Sequence, residues 1–187
     1  MAQKRKDWNG LISGFKASDL VFLDESGCNT DMTRRYAYSL GGSRAVDSAP
    51  LSKPKNTTIL SSIQLDGTLR YTTFSGGTTV ERFKRYLETD WLPHLNGNSV
   101  LIMDNMKSHH AKAVRNLLDS SEIRYIYLPP YSPDLNPIEK LWSKVKSFLR
   151  KFKARTLDAL PNAIQNAFHS VTVSDCSGWF RFCGYAL

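Results

Sequence analysis

The sequence predicts an α/β fold, a mixed five-stranded sheet flanked by helices. Three observations carry this. Two apolar runs, Leu20–Leu23 and the VLIM before Asp104, have the length of strands buried on both faces, and each ends at an aspartate. TTILSSIQLDGTLRYTTF carries Asp66-Gly67 between two β-rich runs, a hairpin signal. From residue 80 onward, helical spacing alternates with short apolar runs, the pattern of parallel crossovers.

In chain order, residues 3–16 are expected to form a short basic helix. Leu20–Leu23 is the first strand, ending at Asp24. Residues 29–56, rich in Gly, Ser, Pro and Arg, are expected to be a loop with one short strand near Tyr36–Leu40. The hairpin supplies two antiparallel strands. Val80, Phe83, Leu87 and Trp91 have helical spacing. SVLIMDN is the next strand, AKAVRNLLDSS a short amphipathic helix, and IRYIYL the last strand. A helix is expected from Pro137 to about Lys153, and LDALPNAIQNAFHSV supplies the final one. The expected organisation is a single catalytic domain over 1–187, with a basic helix or linker over 1–18, the core over 19–155 and a helical segment over 156–187.

The 187 residues are 41% hydrophobic, enough for a core. No apolar run approaches a membrane span, and MAQKRKDWNG lacks the apolar stretch of a secretory signal. Cys28, Cys176 and Cys183 form no Cys-x-x-Cys pair, which argues against a zinc site or disulfide framework and for reduced thiols in a cytoplasmic protein. The net charge of +8 points to an acidic polymer, most commonly nucleic acid. Seven basic residues and no acid lie between Lys140 and Arg155.

Asp24 and Asp104 stand at the ends of two buried strands. If those strands are parallel neighbours, both carboxylates emerge at one edge, where ligands of open α/β sheets gather. Two aspartates held close repel unless a cation lies between them, and hard oxygen ligands suit magnesium or manganese. Each aspartate alone is also explained as a strand-ending turn residue. Glu139 has a local explanation too: Asn136-Pro137-Ile138-Glu139 reads as an N-cap, a proline at the first helical position and the glutamate of a capping box. Ile138, Leu141, Trp142, Val145, Leu149 and Phe152 make an apolar stripe. Glu139 lies on one flank of it, followed by Lys146, Arg150 and Lys153. A phosphate backbone tracking that row would arrive at the acid. The candidate DNA-binding cations are Lys140, Lys144, Lys146, Arg150 and Lys153.

LPPYSPDLNPIEKLW places four of the eight prolines within nine positions, just before that helix. Proline narrows its own φ and the conformations of the residue before it, so the connection sets the helix start relative to the preceding strand. His109 and His110 follow Asp104 closely and could touch a metal or a phosphate, or cap the next helix. Glu25 is expected on the opposite face of its strand from Asp24, in a structural role. Trp91, Trp142 and Trp179 are expected to pack in the core, and Trp8 is a candidate interface anchor.

FLDES, LIMDN and LPPYSPDLNPIEKLW together resemble the three signature blocks of DDE transposases, and more narrowly the mariner-type transposases of bacterial insertion sequences. Thirty-four residues separate Asp104 from Glu139, the spacing of that superfamily. NTDMTRRY, Val46–Ser48, Thr57–Thr58 and FRFCGY are also similar to the family. The resemblance implies a ribonuclease H-like fold with Asp24, Asp104 and Glu139 as catalytic, metal-binding triad. It implies two Mg²⁺ or Mn²⁺ ions and cleavage of double-stranded DNA at transposon ends. Joining of the 3′-hydroxyl to target DNA follows, usually at TA dinucleotides. A homodimer is expected, because two ends must be handled together. Relatives usually carry an N-terminal helix-turn-helix region. This chain is expected to begin just before the catalytic core, as the second product of a split reading frame, a degenerate copy or an expressed fragment; the first of these implies a separately encoded helix-turn-helix partner, with action on the bacterial nucleoid. Tyr38–Gly42, YSLGG, replaces an Arg-Ala-Pro-Arg-Gly type turn and lacks its two cations. Two other readings stay open: another ribonuclease H-like nuclease, and a non-catalytic DNA-binding remnant.

Overall fold

The computed structural model describes residues 2–34, 36–51 and 54–185. Arg35 of the NTDMTRRY block and the last two residues of the expected C-terminal segment lie outside them. The elements are α1 (Ala2–Ile12), β1 (Leu20–Cys28), β2 (Thr57–Gln64), β3 (Leu69–Ser75), α2 (Val80–Tyr86), β4 (Val100–Met103), α3 (Lys112–Ser120), β5 (Arg124–Tyr127), α4 (Ile138–Phe152), α5 (Ala159–His169) and α6 (Val173–Phe182). After α2 the chain widens into a π-turn at Leu87–Trp91.

The sheet has the order β3-β2-β1-β4-β5. β1 is antiparallel to β2 and parallel to β4, and β4 is parallel to β5. This is the mixed five-stranded sheet the sequence predicts. Alternation along β1 splits the core into two layers. Leu20 and Phe22 face one side with the buried residues of α4, α5 and α6, while Val21 and Leu23 face the other with Phe83, Leu87, Val114 and Leu118. All four of these β1 residues are at most 1% exposed. Each such side chain contributes roughly 1.5–3 kcal/mol by leaving water.

Four local expectations need correction. First, β1 does not end at Asp24; it runs on to Cys28, because β2 keeps pairing with it as far as Cys28↔Thr57. What ends there is the parallel pairing, at Leu23↔Met103. Second, Tyr36–Leu40 forms no strand: Tyr36, Tyr38 and Leu40 are over 90% exposed, with no neighbour strand to pair with among the described residues. Third, Phe152 leaves the α4 stripe. It is 46% exposed and stacks on Phe148, at the last turn where the helix runs past the core. Fourth, Trp8 is no exposed anchor; it is 4% exposed and joins the core layer under α1.

A further helix, α6, follows α5. Thr172 caps it: its hydroxyl accepts the Asp175 N–H, and the Asp175 carboxylate accepts the Thr172 N–H at 2.8 Å. Thr172→Ala should cost about 1 kcal/mol, the usual loss for an N-cap; urea denaturation would show this as a lowered midpoint at unchanged slope. Among the described residues no helix is long and apolar enough to cross a membrane. The three cysteines are free and buried, and burial pushes each thiol up to about 11, so they are poor nucleophiles.

Candidate active site

Leu23 and Met103 are the last paired residues of the parallel ladder, so Asp24 and Asp104 are the next residue on each of two adjacent strands. They leave the sheet at the same rim. Asp24 lies on the α4 face and is 8% exposed. Its Oδ1 accepts the Glu25 N–H at 2.7 Å and its Oδ2 accepts Trp142 Nε1–H at 3.2 Å. Trp142 therefore does more than pack; an indole about one turn into α4 fixes the acid on β1. Burial, together with the charges of Asp104 and Glu139, pushes the Asp24 carboxyl up to about 7, although both hydrogen bonds favour the ionised form.

Asp104 begins the turn after β4. Its Oδ1 accepts the Met106 N–H at 2.9 Å and stands 2.8 Å from His109 Nδ1, while Oδ2 carries no hydrogen bond among the described residues. Partial burial alone would raise this carboxyl, but the His109 hydrogen bond, the Met106 N–H and the charges of both histidines outweigh it and lower it. His109 is fully buried, its ring stacked on Phe83 at 4.3 Å, and its Nε2 lies 3.3 Å from Glu25 Oε2. Burial would depress the imidazolium; hydrogen bonds to Asp104 and Glu25 and their charges win, raising it to about 9. Both ring nitrogens of His109 thus face carboxylate oxygens, an arrangement that favours the protonated ring. His110 turns away, stacking on Tyr127 at 4.0 Å.

The proline-rich connection delivers Glu139. Leu128 N–H donates to Met103 O at 2.8 Å, holding its start against β4. Arg5 pairs with Asp134, and the Tyr185 hydroxyl donates to Leu135 O, so α1 and the chain after α6 both brace it. The predicted capping box does not form. Asn136 Oδ1 is buried without a partner, no side chain caps α4, and the Glu139 N–H donates to the Asn136 backbone carbonyl at 3.1 Å. The helix begins at Ile138 with Pro137 at the N-cap, so Asn136 lies one position before the cap and Glu139 falls at the second helical position instead of the third. Its carboxylate is exposed and makes no hydrogen bond or ion pair among the described residues. It lines a cavity of about 440 Å³ together with Asp104, Asn105, Met106 and residues 128–133.

The three acids thus share one rim. They do not form a closed cluster: among the described residues, no three His, Cys, Asp or Glu side chains stand close enough to hold a metal ion as placed. The donor set nonetheless fits a hard divalent cation. All three groups are carboxylates, and Asp104 Oδ2 and the Glu139 carboxylate carry no hydrogen bond among the described residues.

The basic residues of α4 divide between two faces. Lys140 lies 3.8 Å over the Phe182 ring and Lys144 is 2.5 Å from Asp175, both toward α6. On the flank of Glu139, Lys153 is 2.5 Å from Asp47, and Lys146 and Arg150 line a polar cavity with Gly27–Asn29, Asp31–Thr33, Ala49 and Pro50. Arg155, just beyond α4, donates to the Thr30 and Met32 carbonyls at 3.1 Å each.

Comparison with known proteins agrees with this architecture. The family model described as DDE superfamily endonuclease matches residues 19–161. The Transposable element Tc1 transposase of Caenorhabditis elegans is 31% identical over 83 residues, 44% of this chain and 30% of that protein. The crystal structure of the catalytic domain of Mos1 mariner transposase superposes with a TM-score of 0.70 at 17% identity, covering 96% of this chain and 85% of that one. The Mos1 mariner paired-end complex with Mn gives 0.77 at 19% identity, over 95% of this chain and 57% of that one. This chain therefore spans well under two thirds of the longer relatives. The sheet and its flanking helices are ribonuclease H-like, and the chain belongs to the DDE superfamily endonuclease family.

Proposed function

We propose that this chain is the catalytic domain of a transposase, cleaving double-stranded DNA at transposon ends and joining the 3′-hydroxyl to target DNA. Asp24, Asp104 and Glu139 are the residues that would hold two Mg²⁺ or Mn²⁺ ions. The observation that supports this best is the register: Asp24 and Asp104 are consecutive exits from one parallel ladder, and Glu139 faces the same cavity as Asp104. Such ions, when bound, activate the attacking water or 3′-hydroxyl and stabilise the leaving oxygen. The chain's own part is placement. Trp142 and the Glu25 N–H orient Asp24, while His109 and the Met106 N–H hold Asp104 by Oδ1, leaving its Oδ2 without a hydrogen bond among the described residues. The braced proline connection sets Glu139 opposite, a carboxylate with no competing partner among the described residues. Lys146 and Arg150 extend the same flank as candidate phosphate contacts. A homodimer, and a helix-turn-helix protein that reads the ends, complete this reading, with action in the bacterial cytoplasm on nucleoid DNA.

The test uses oligonucleotides carrying the terminal repeats that flank the gene, with Mn²⁺ and with any helix-turn-helix protein encoded beside it. The expected result is metal-dependent cleavage and joined strand-transfer products. Cleavage without joining would point to a nuclease on the same fold. Absence of metal-dependent cleavage under all these conditions would overturn the reading.

A further inference from the structure

β1 presents two consecutive acids to opposite faces of the sheet. Asp24 meets Trp142 on the α4 side, and Glu25 meets His109 on the α2 and α3 side. His109 joins the strands at the rim: Nδ1 is 2.8 Å from Asp104 Oδ1, and Nε2 is 3.3 Å from Glu25 Oε2. The ring is fully buried and stacked on Phe83 at 4.3 Å, which sets its plane, and its own backbone carbonyl accepts the Tyr127 hydroxyl at 2.9 Å; the turn of the ring within that plane is left to the contacts at Nδ1 and Nε2. Glu25 gains little from this placement as a folding element. Its side chain is 12% exposed, and Oε1 is buried with no partner. A half-satisfied buried carboxylate is a costly way to fill space, and its one side-chain hydrogen bond among the described residues is the one to His109.

We propose that Glu25 is a positioning residue that acts through His109 to fix the carboxylate plane of Asp104, so that Asp104 Oδ2 faces a divalent cation at the rim. This rests on the assignment of Asp104 as a metal ligand. Glu25 touches neither cation nor DNA. It locks the imidazole orientation, and the imidazole locks Oδ1. A histidine held at only one end would leave Asp104 free to turn about its χ2, and the cation would then lose a preset oxygen.

The experiment measures Mn²⁺ binding by electron paramagnetic resonance, and thermal unfolding of the metal-free protein, in four variants. Glu25→Gln keeps side-chain length and an acceptor oxygen, so its Mn²⁺ affinity should stay within about threefold of the parent. Glu25→Asp keeps the charge but is one methylene too short to reach His109, and Glu25→Ala removes the group. Each of these should weaken Mn²⁺ binding by about 10- to 100-fold, the range for an outer partner of a metal ligand. The loss should appear in the fully folded protein, below its unfolding transition. Should Glu25→Ala fail to fold, the contrast between Gln and Asp decides alone. Asp104→Asn is the control. If it abolishes tight Mn²⁺ binding while Glu25→Asp binds like the parent, the relay is wrong and the ligand assignment stands. If Asp104→Asn itself binds Mn²⁺ like the parent, the ligand assignment fails first.

Discussion

Asp24→Asn, Asp104→Asn and Glu139→Gln should each lower Mn²⁺-dependent DNA cleavage by more than about 100-fold, because outer partners of metal ligands already cost about 10–100-fold and these three are the proposed ligands themselves. Each substitution is nearly isosteric, so circular dichroism should show an unchanged fold. The three should not behave alike in detail. Asp24 is buried and held at both oxygens, so its replacement removes a preset ligand with no substitute nearby. Glu139 is exposed and lacks hydrogen bonds among the described residues, so Glu139→Asp should retain more activity than an equivalent shortening at a fixed site. Residual cleavage above one tenth of the parent in any of the three would remove that residue from the assignment. DNA affinity, measured without metal by anisotropy, should rise slightly or stay constant in the same variants, since each loses a negative charge near the phosphate path.

The second large effect concerns stability without metal. Asp24 has an ordinary pKa of 3.8 and a folded-state value pushed up to about 7, chiefly by burial. A raised folded value means that the group's stabilising contribution is fully present below about pH 4 and is lost as pH rises through about 7, because the unfolded chain ionises first. Each tenfold change in the ionisation equilibrium is worth about 1.4 kcal/mol, so the cost at pH 8 is on the order of 4 kcal/mol at most. Asp24→Asn removes that cost while its amide oxygen still accepts from Trp142 or the Glu25 N–H. The metal-free variant should therefore melt above the parent at pH 8, by several degrees at about 2–4 °C per kcal/mol for a chain of this size. Near pH 4 the two should melt together. Adding Mn²⁺ should raise the parent's melting temperature and leave the variant's nearly unchanged. A parent that melts above Asp24→Asn at pH 8 without metal would show that Asp24 belongs to a purely structural network.

The sheet was legible because each strand has its own signature. Leu20–Leu23 and Val100–Met103 are apolar throughout, as strands covered on both faces must be, and Asp66-Gly67 marks the hairpin, where Gly67 adopts φ +88°. The rim position of Asp24 and Asp104 followed from those two runs. The extension of β1 beyond Asp24 did not, because Glu25–Cys28 is polar and small and is held by β2, a partner about 30 and more residues away in the chain. Helix α6 was hidden by VSDCSGWFRF, which holds a glycine and two serines and lacks a clear apolar period. The signal present was Thr172-x-x-Asp175, a capping pair ahead of that segment. Glu139 illustrates the opposite error: a capping pattern sits in the sequence, and the proline turn shifts the helix start so that the pattern goes unused. The roles of Trp142, His109 and Glu25 could not be read from spacing. Each depends on a contact between residues 84 to 118 positions apart, such as Trp142 with Asp24 and His109 with Glu25.

The most direct test of the metal-binding rim is anomalous diffraction from crystals of this protein grown with Mn²⁺. The account predicts manganese at the β1–β4 edge with an oxygen of Asp24 and Oδ2 of Asp104 as ligands, and Glu139 turned toward it across the cavity. Manganese found only at other carboxylates, with Asp24 and Asp104 uncoordinated at saturating concentration, would contradict it.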